Sequence, residues 1–240
     1  FLIISIGVFL YAKIFLKENH FLASLSFGLS AFVMTGVLEE FYRATKARIS
    51  VTGENIIKGF IGVLFQNKRR YLGYAVHFAL AIMFVGFTGK IFTDEARFSL
   101  AKGESARFHN YIIEVQNFET LMVKGASQSK VPLYYTSKVT IDLYKNNRYI
   151  GTDTTEVRQY PRYNPNTGKY DENQQTSEPF IISKLDADFY IQYAGMEENR
   201  LVLQVWLNPL VKWVWIGFGF FVIFSLFLLL PIGEKKKKGG

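Results

Sequence analysis

The stretch Tyr71–Phe92 reads YLGYAVHFALAIMFVGFTGKIF, and it decides the fold. A hydrocarbon core of about 30 Å takes roughly 20 apolar helical residues to cross. This stretch meets that length, and so does Pro209–Leu230. Phe21–Leu38 lies at the short end of the range. Phe1–Leu16 is too short alone, and the sequence begins without Met, so it is read as the outer part of a span whose start is missing. It fits a cleaved signal peptide poorly, having no basic segment before it and no small-x-small site after it. The expected fold class is membrane α-helical, with about four transmembrane helices, the first truncated, and an inserted extracytoplasmic all-β domain.

Charge orients these spans. The formal charge is +8, but between Asp94 and Asn208 there are 13 basic and 15 acidic residues. The basic excess therefore flanks the apolar blocks. Arg43, Lys46, Arg48, Lys58, Lys68, Arg69 and Arg70 lie in one zone, and Lys235–Lys238 in another. Lys and Arg collect on the cytoplasmic side, so both zones are expected inside. Residues 93–208 are then left outside, and Lys17–His20 forms a short outer turn. Trp206, Trp213 and Trp215 all stand where the last span would leave the outer face, as an aromatic belt does. Nucleic acid is excluded as a partner, because the middle of the chain has no basic surplus. With no Cys at all, disulfides, thiolate metal sites and thiol redox chemistry are excluded too.

The resulting organisation is a partial span at 1–16, a span at 21–38, a cytoplasmic loop at 39–70, a span at 71–92, a β domain at 93–208, a span at 209–230 and a basic tail at 231–240. Within the loop, Ile56–Phe65 is apolar but too short to cross. It is expected to lie as an interfacial helix, weakened by Gly59 and Gly62. In the β domain, Arg107–Val115, Lys138–Tyr144 and Tyr149–Val157 read as strands, the last two joined by a tight turn at Asn146-Asn147. Phe180–Ile182, Asp188–Tyr193 and Arg200–Val205 read as three more. Tyr160–Thr176, with Pro161, Pro165 and Gly168, reads as a loop. The sum is an antiparallel sandwich or open barrel.

Only three residues are His. His77 lies inside a span, where an ionisable side chain is costly unless paired, buried or ligated. A neutral imidazole can serve there as an axial ligand to haem iron. At helical spacing Arg70, Gly73, Tyr74, His77, Leu80, Ala81, Phe84 and Thr88 share one face. Gly73 and Ala81 leave room beside the ring, and Arg70 stands two turns away, able to pair with a propionate or a lipid phosphate. A hydrogen bond to a neighbouring helix is the commoner role of a lone intramembrane His, and the residues alone leave both open. His20 reads as an exposed loop residue and His109 as a strand residue, neither with a second His at metal-ligand spacing. Asp186 and Asp188 would share a strand face, without a calcium loop around them, and read as solvated acids.

Three stretches carry a resemblance. Lys68–Gly89 (KRRYLGYAVHFALAIMFVGFTG) resembles the R-R-Y-G-G-Y-x-V-H-x-G span, closed by G-x-x-G, of the CcmF family of cytochrome c biogenesis proteins. Thr176–Tyr190 (TSEPFIISKLDADFY) and Trp206–Gly217 (WLNPLVKWVWIG) are similar to the same family's outer-domain segment and its lead into the final span. The resemblance covers most of the chain from Lys68 on, in the family's C-terminal order. Leu72 and Ala79 stand where the family commonly has Gly. The family's tryptophan-rich outer loop, the His residues beside it and the second haem ligand have no counterpart here.

The resemblance implies the haem lyase component of cytochrome c maturation, in the inner membrane. Such a protein joins haem to the Cys-x-x-Cys-His motif of an apocytochrome c on the outer face. It implies a haem b cofactor, with quinol as a possible electron source and His77 as one axial ligand of the iron. It implies partners as well: a missing N-terminal part or separate subunit, and other cytochrome c maturation proteins. The chain alone would then hold half a haem site and no complete catalytic site. The alternative reading is a non-catalytic membrane scaffold whose outer β domain docks partners, with His77 joining helices. Transport would call for broken helices or repeated intramembrane polar residues, which the sequence lacks.

Overall fold

A computed structural model of the chain describes residues 1–16, 20–124 and 132–230. The basic tail and most of the expected outer turn lie outside the described residues. The chain forms two compact units. One comprises Phe1–Phe92, Leu185–Ala187 and the segment from Pro209; the other comprises Thr93–Lys184 and Asp188–Asn208.

The first unit is helical, with α1 (Leu2–Leu16), α2 (Phe21–Thr52), α3 (Ile56–Gln66), α4 (Lys68–Thr88) and α5 (Val211–Leu229). A single 3₁₀ turn, Gly89–Phe92, extends α4. Among the described residues three helices are long and apolar enough to cross a membrane: α2, α4 with its 3₁₀ turn, and α5. α1 is shorter than that.

The helix expected to end at Leu38 continues to Thr52. Loss of apolar character marks where a helix leaves hydrocarbon, not where it stops. Glu and Arg are good helix formers, and Glu39 pairs with Arg43 one turn on. The helix stops at Gly53, whose backbone is left-handed (φ 67°) and whose N–H donates to the Ile49 carbonyl at 2.9 Å. Two residues later the Asn55 side chain accepts from the Lys58 N–H at 2.8 Å and starts α3. The glycines of α3 are contact points rather than weak points. A Cβ at Gly59 would stand 2.8 Å from Ile49 Cγ1, and one at Gly62 would run into the Arg48 guanidinium.

α4 and α5 run antiparallel at close range. A Cβ at Gly86 would lie 2.6 Å from Val214 Cγ2, and one at Gly89 would lie 2.7 Å from the Pro209 carbonyl. On α5, a Cβ at Gly217 would lie 2.6 Å from Met83 Cγ and 2.9 Å from the Ala79 carbonyl. Small residues at such crossings let backbones approach where no hydrophobic effect drives helices together.

The second unit is a β-sandwich. One sheet has the order β1 (Asp94–Leu100), β9 (Arg200–Pro209), β8 (Ala187–Glu197), β7 (Phe180–Ser183). The other is a meander of β2 (Ser105–Phe108), β3 (Tyr111–Val123), β4 (Tyr134–Lys145), β5 (Arg148–Asn164) and β6 (Lys169–Glu178). Ile113, Val115, Ile141 and Leu143 of the meander meet Ile191, Leu203 and Val205 of the other sheet in one fully buried core. Tyr111 stacks on Phe189 across it, with ring centroids 4.1 Å apart.

Two expectations are corrected here. The single strand expected at 107–115 is a hairpin, broken at His109, whose φ is 54°. The loop expected at 160–176 is the far end of another hairpin, with Asn164 opposite Lys169. Pro161 falls at a register irregularity between Tyr160 and Arg162, where proline's missing N–H is tolerated. Gly168, at φ 66°, helps turn the chain. On β5 the buried Glu156 loses solvation, but Arg158, the Thr136 hydroxyl at 3.1 Å and Lys138 at 3.5 Å outweigh that and hold its carboxyl below the usual range.

The glycine crossing is testable by a matched pair. Gly217→Leu forces atoms against the backbone of α4 and is expected to cost about 1–3 kcal/mol or more, seen as a lower thermal midpoint of the detergent-purified protein. A Cβ at Gly219 meets nothing within 4 Å, so Gly219→Leu is expected not to lower that midpoint.

Candidate functional site

α2 and α4 are antiparallel and tied at two levels. At one, the hydroxyls of Ser26 and Thr88 lie 2.6 Å apart in a hydrogen bond. At the other, Arg70 donates to Glu40 at 2.6 Å, and Tyr71 packs on Phe41. Beside the first tie lies a groove of about 390 Å³. Leu25, Leu29 and Val33 wall it from α2, and Leu80, Ala81 and Phe84 from α4. Its polar residues are Ser26, Ser30 and His77.

The His77 ring is exposed, and its Nδ1 lies 2.8 Å from the Gly73 carbonyl one turn earlier. A carbonyl only accepts, so Nδ1 carries the proton and donates it. In the neutral ring Nε2 then keeps its lone pair, and it has no partner among the described residues. This is the arrangement a metal-ligating imidazole uses, in which one nitrogen is fixed by a hydrogen bond and the other is free. A Cβ at Gly73 would meet nothing within 4 Å, so the space beside the ring is open. The donor, the open flank and the apolar walls all suit a planar apolar group ligated from one side. The bond to Gly73 stays within α4, so here the ring is not joined to a neighbouring helix.

Arg70 is not brought to the groove. Besides Glu40, its guanidinium approaches the Tyr74 hydroxyl at 3.4 Å and stands over the rings of Tyr71 and Tyr74. His20 occupies the residue before α2, where its carbonyl accepts from Ser24 at 3.3 Å. His109 Nε2 lies 3.2 Å from Asp94 Oδ2 at one end of the sandwich. Asp188 is no solvated acid: it is 3% exposed and accepts from the Ser183 hydroxyl at 2.5 Å. Asp186 precedes β8 and does not share a strand face with it. No cluster of three or more His, Asp or Glu able to hold a metal ion exists among the described residues. Ser26 and Glu40 tie α2 to α4, and no local pattern marks them in the sequence, because each acts through a residue on another helix.

The upper tie is testable. A double-mutant cycle of Ser26→Ala and Thr88→Val is expected to give a coupling of about 0.6 kcal/mol, the usual size between membrane helices. Strict additivity in unfolding measurements would rule the tie out.

No protein-family model matches the sequence, and no curated protein matches it. Among solved structures the chain is similar to one described as "Cytochrome c Heme Lyase CcmF", with a TM-score of 0.65 and 15% sequence identity. The similarity covers 96% of this chain and 34% of that one, so the chain spans about a third of its length. At this identity the likeness is one of fold, and it takes in both the helices and the sandwich: the chain has the fold of part of a cytochrome c haem lyase.

Proposed function

We propose that this chain is the C-terminal part of a cytochrome c maturation haem lyase, and that its α2–α4 groove is half of a b-type haem site. The observation that carries the proposal is the His77 ring, with Nδ1–H held by Gly73 and Nε2 unpartnered beside an apolar groove. The shared fold supports it. Haem bound there supplies one-electron chemistry at a potential set by its ligands and surroundings.

The residues of this chain have separate parts in that proposal. His77 Nε2 would hold the haem iron, as neutral imidazole. The Gly73 carbonyl fixes the tautomer and makes the ring a stronger donor. The apolar walls exclude water. Arg70 holds a propionate only by giving up Glu40, so it contributes less than His77. A second ligand would come from an upstream part or a separate subunit. The β-sandwich faces the periplasm and positions apocytochrome c or other maturation proteins, with quinol as electron donor. Four helices cross the membrane in this reading, α1 among them, with residues 39–70 inside.

The test is a reduced-minus-oxidised optical spectrum of the purified full assembly. Wild type is expected to show a b-type signal that His77→Ala loses and that added imidazole restores, which separates ligation from misfolding. Arg70→Gln is expected to keep most of it. A His77→Ala assembly that keeps the full signal would mean the ring only packs or hydrogen-bonds and another residue ligates the haem, whereas a wild type without pigment would favour the scaffold reading.

The topology has its own test, made simple by the absence of Cys. On intact cells an impermeant maleimide is expected to label Lys169→Cys but not Ser50→Cys until the membrane is opened. The reverse pattern would invert the proposed orientation.

A further inference from the structure

The β-sandwich carries a polar cleft of its own. It is an open hollow of about 710 Å³ lined by Arg107, His109, Asn110, Asn146, Asn147 and Leu207. All of these but Leu207 are exposed, so their side chains are open to an occupant.

Two hairpin turns build the cleft. One closes β2 on β3 through His109 and Asn110, and the other closes β4 on β5 through Asn146 and Asn147. The Asn146 N–H docks one turn against the other by donating to the Asn110 carbonyl at 2.8 Å. Asn146 and Asn147 are both left-handed (φ 52° and 61°), the form that a two-residue hairpin turn prefers and asparagine tolerates. Three carboxamides therefore stand on tight turns, and each offers both donors and an acceptor. Arg107 Nη2 donates to Asn147 Oδ1 at 3.3 Å, which steadies the guanidinium without neutralising it.

The charge at this end of the sandwich is positive. Arg107 has no carboxylate partner among the described residues, and Lys145 and Arg148 flank the second turn. The acids at the start of β1 are engaged: Asp94 Oδ2 meets His109 Nε2 at 3.2 Å, and Glu95 accepts from Trp206 Nε1 at 3.1 Å.

The cleft also lies at the neck of the domain. Leu207 stands opposite Asp94 in the β1–β9 ladder, and beside them Thr93 donates to Asn208 at 3.0 Å, where the chain enters and leaves the sandwich. From Phe92 to Asp94 the chain reaches about 7 Å at most. The apolar stretch Tyr71–Phe92 rises about 33 Å, against about 30 Å of hydrocarbon. A span that begins at Tyr71 thus ends at a headgroup layer, and the neck is tethered within reach of it.

We propose that this cleft binds the headgroup of an acidic phospholipid that bears hydroxyls. The phosphodiester pairs with Arg107, whose fork matches two phosphate oxygens. The headgroup hydroxyls exchange hydrogen bonds with the carboxamides of Asn110, Asn146 and Asn147, which can both donate and accept. A choline head offers neither partner, because its trimethylammonium has no N–H or O–H and Arg107 repels it. The inference rests on α4 crossing a bilayer and is independent of the haem-site proposal.

The test is the rate at which phenylglyoxal modifies Arg107, read by mass spectrometry on the purified full assembly in vesicles. Phosphatidylcholine vesicles are compared with vesicles that also contain phosphatidylglycerol. Phosphatidylglycerol is expected to slow the modification of Arg107 about fivefold, the scale of one basic side chain near anionic lipid. Arg148, just outside the cleft, is expected to change little. Asn146→Gly keeps the left-handed turn and the Asn147 contact to Arg107 but removes one carboxamide, and it is expected to lose most of the protection. Equal rates for Arg107 in the two kinds of vesicle overturn the proposal, and so does protection that Asn146→Gly leaves unchanged. Equal protection of Arg107 and Arg148 also overturns it, since that marks general surface charge. So does full protection by soluble glycerophosphoglycerol in phosphatidylcholine vesicles, which marks a free phosphodiester rather than a lipid.

Discussion

The close approach of α4 to α5 sets everything else in the helical unit. In hydrocarbon, helices gain nothing by hiding apolar surface from water, so contact has to come from packing and polar ties. Ala79, Gly86 and Gly89 on one side and Gly217 on the other bring the two backbones together. That contact fixes which face of α4 is spent. The face left over carries His77, Leu80 and Phe84, and it becomes the wall of a groove because α5 already occupies the opposite side.

α2 completes the groove through a different kind of constraint. It meets α4 at a hydroxyl pair and at an ion pair, Ser26–Thr88 and Glu40–Arg70. Both ties lie at the ends of the shared length, and the positions between them on α2 are Ser30, Leu29 and Val33. Toward the Glu40 tie Val33 and Val37 pack with Tyr71, Tyr74 and Phe78, so the groove lies toward the Ser26 end. The ionisable group of the groove is His77, whose Nδ1 is held by the Gly73 carbonyl one turn earlier.

Legibility in the sequence follows how local each cause is. Apolar length and β-branched alternation are local, so the long helices and β4, β7, β8 and β9 could be read directly. Helix ends were read from hydropathy, and α2 outran that reading because Glu39, Glu40 and Arg43 change solubility without changing helix propensity. Pro161 argued for a loop because a proline removes a ladder bond. Only the pairing shows that it falls at an irregularity, where the bond is not needed. The face of His77 was legible from the 3.6-residue period. The opposite wall was not, since nothing in the sequence of α2 says which helix Ser26 or Val33 will meet.

The same reasoning separates the two candidate residues of the haem reading. His77 and Arg70 share a face in the sequence, which suggested joint use. The Arg70 guanidinium is already engaged in the resting fold, where it donates to Glu40 at 2.6 Å. A neutral imidazole needs no such partner. One hydrogen bond to its own helix satisfies Nδ1, and Nε2 as an acceptor loses far less in an apolar groove than a charge would. The groove can therefore keep one free donor atom at low cost only because that atom is neutral, which is why a histidine, and not the arginine beside it, is the residue left open to a ligand.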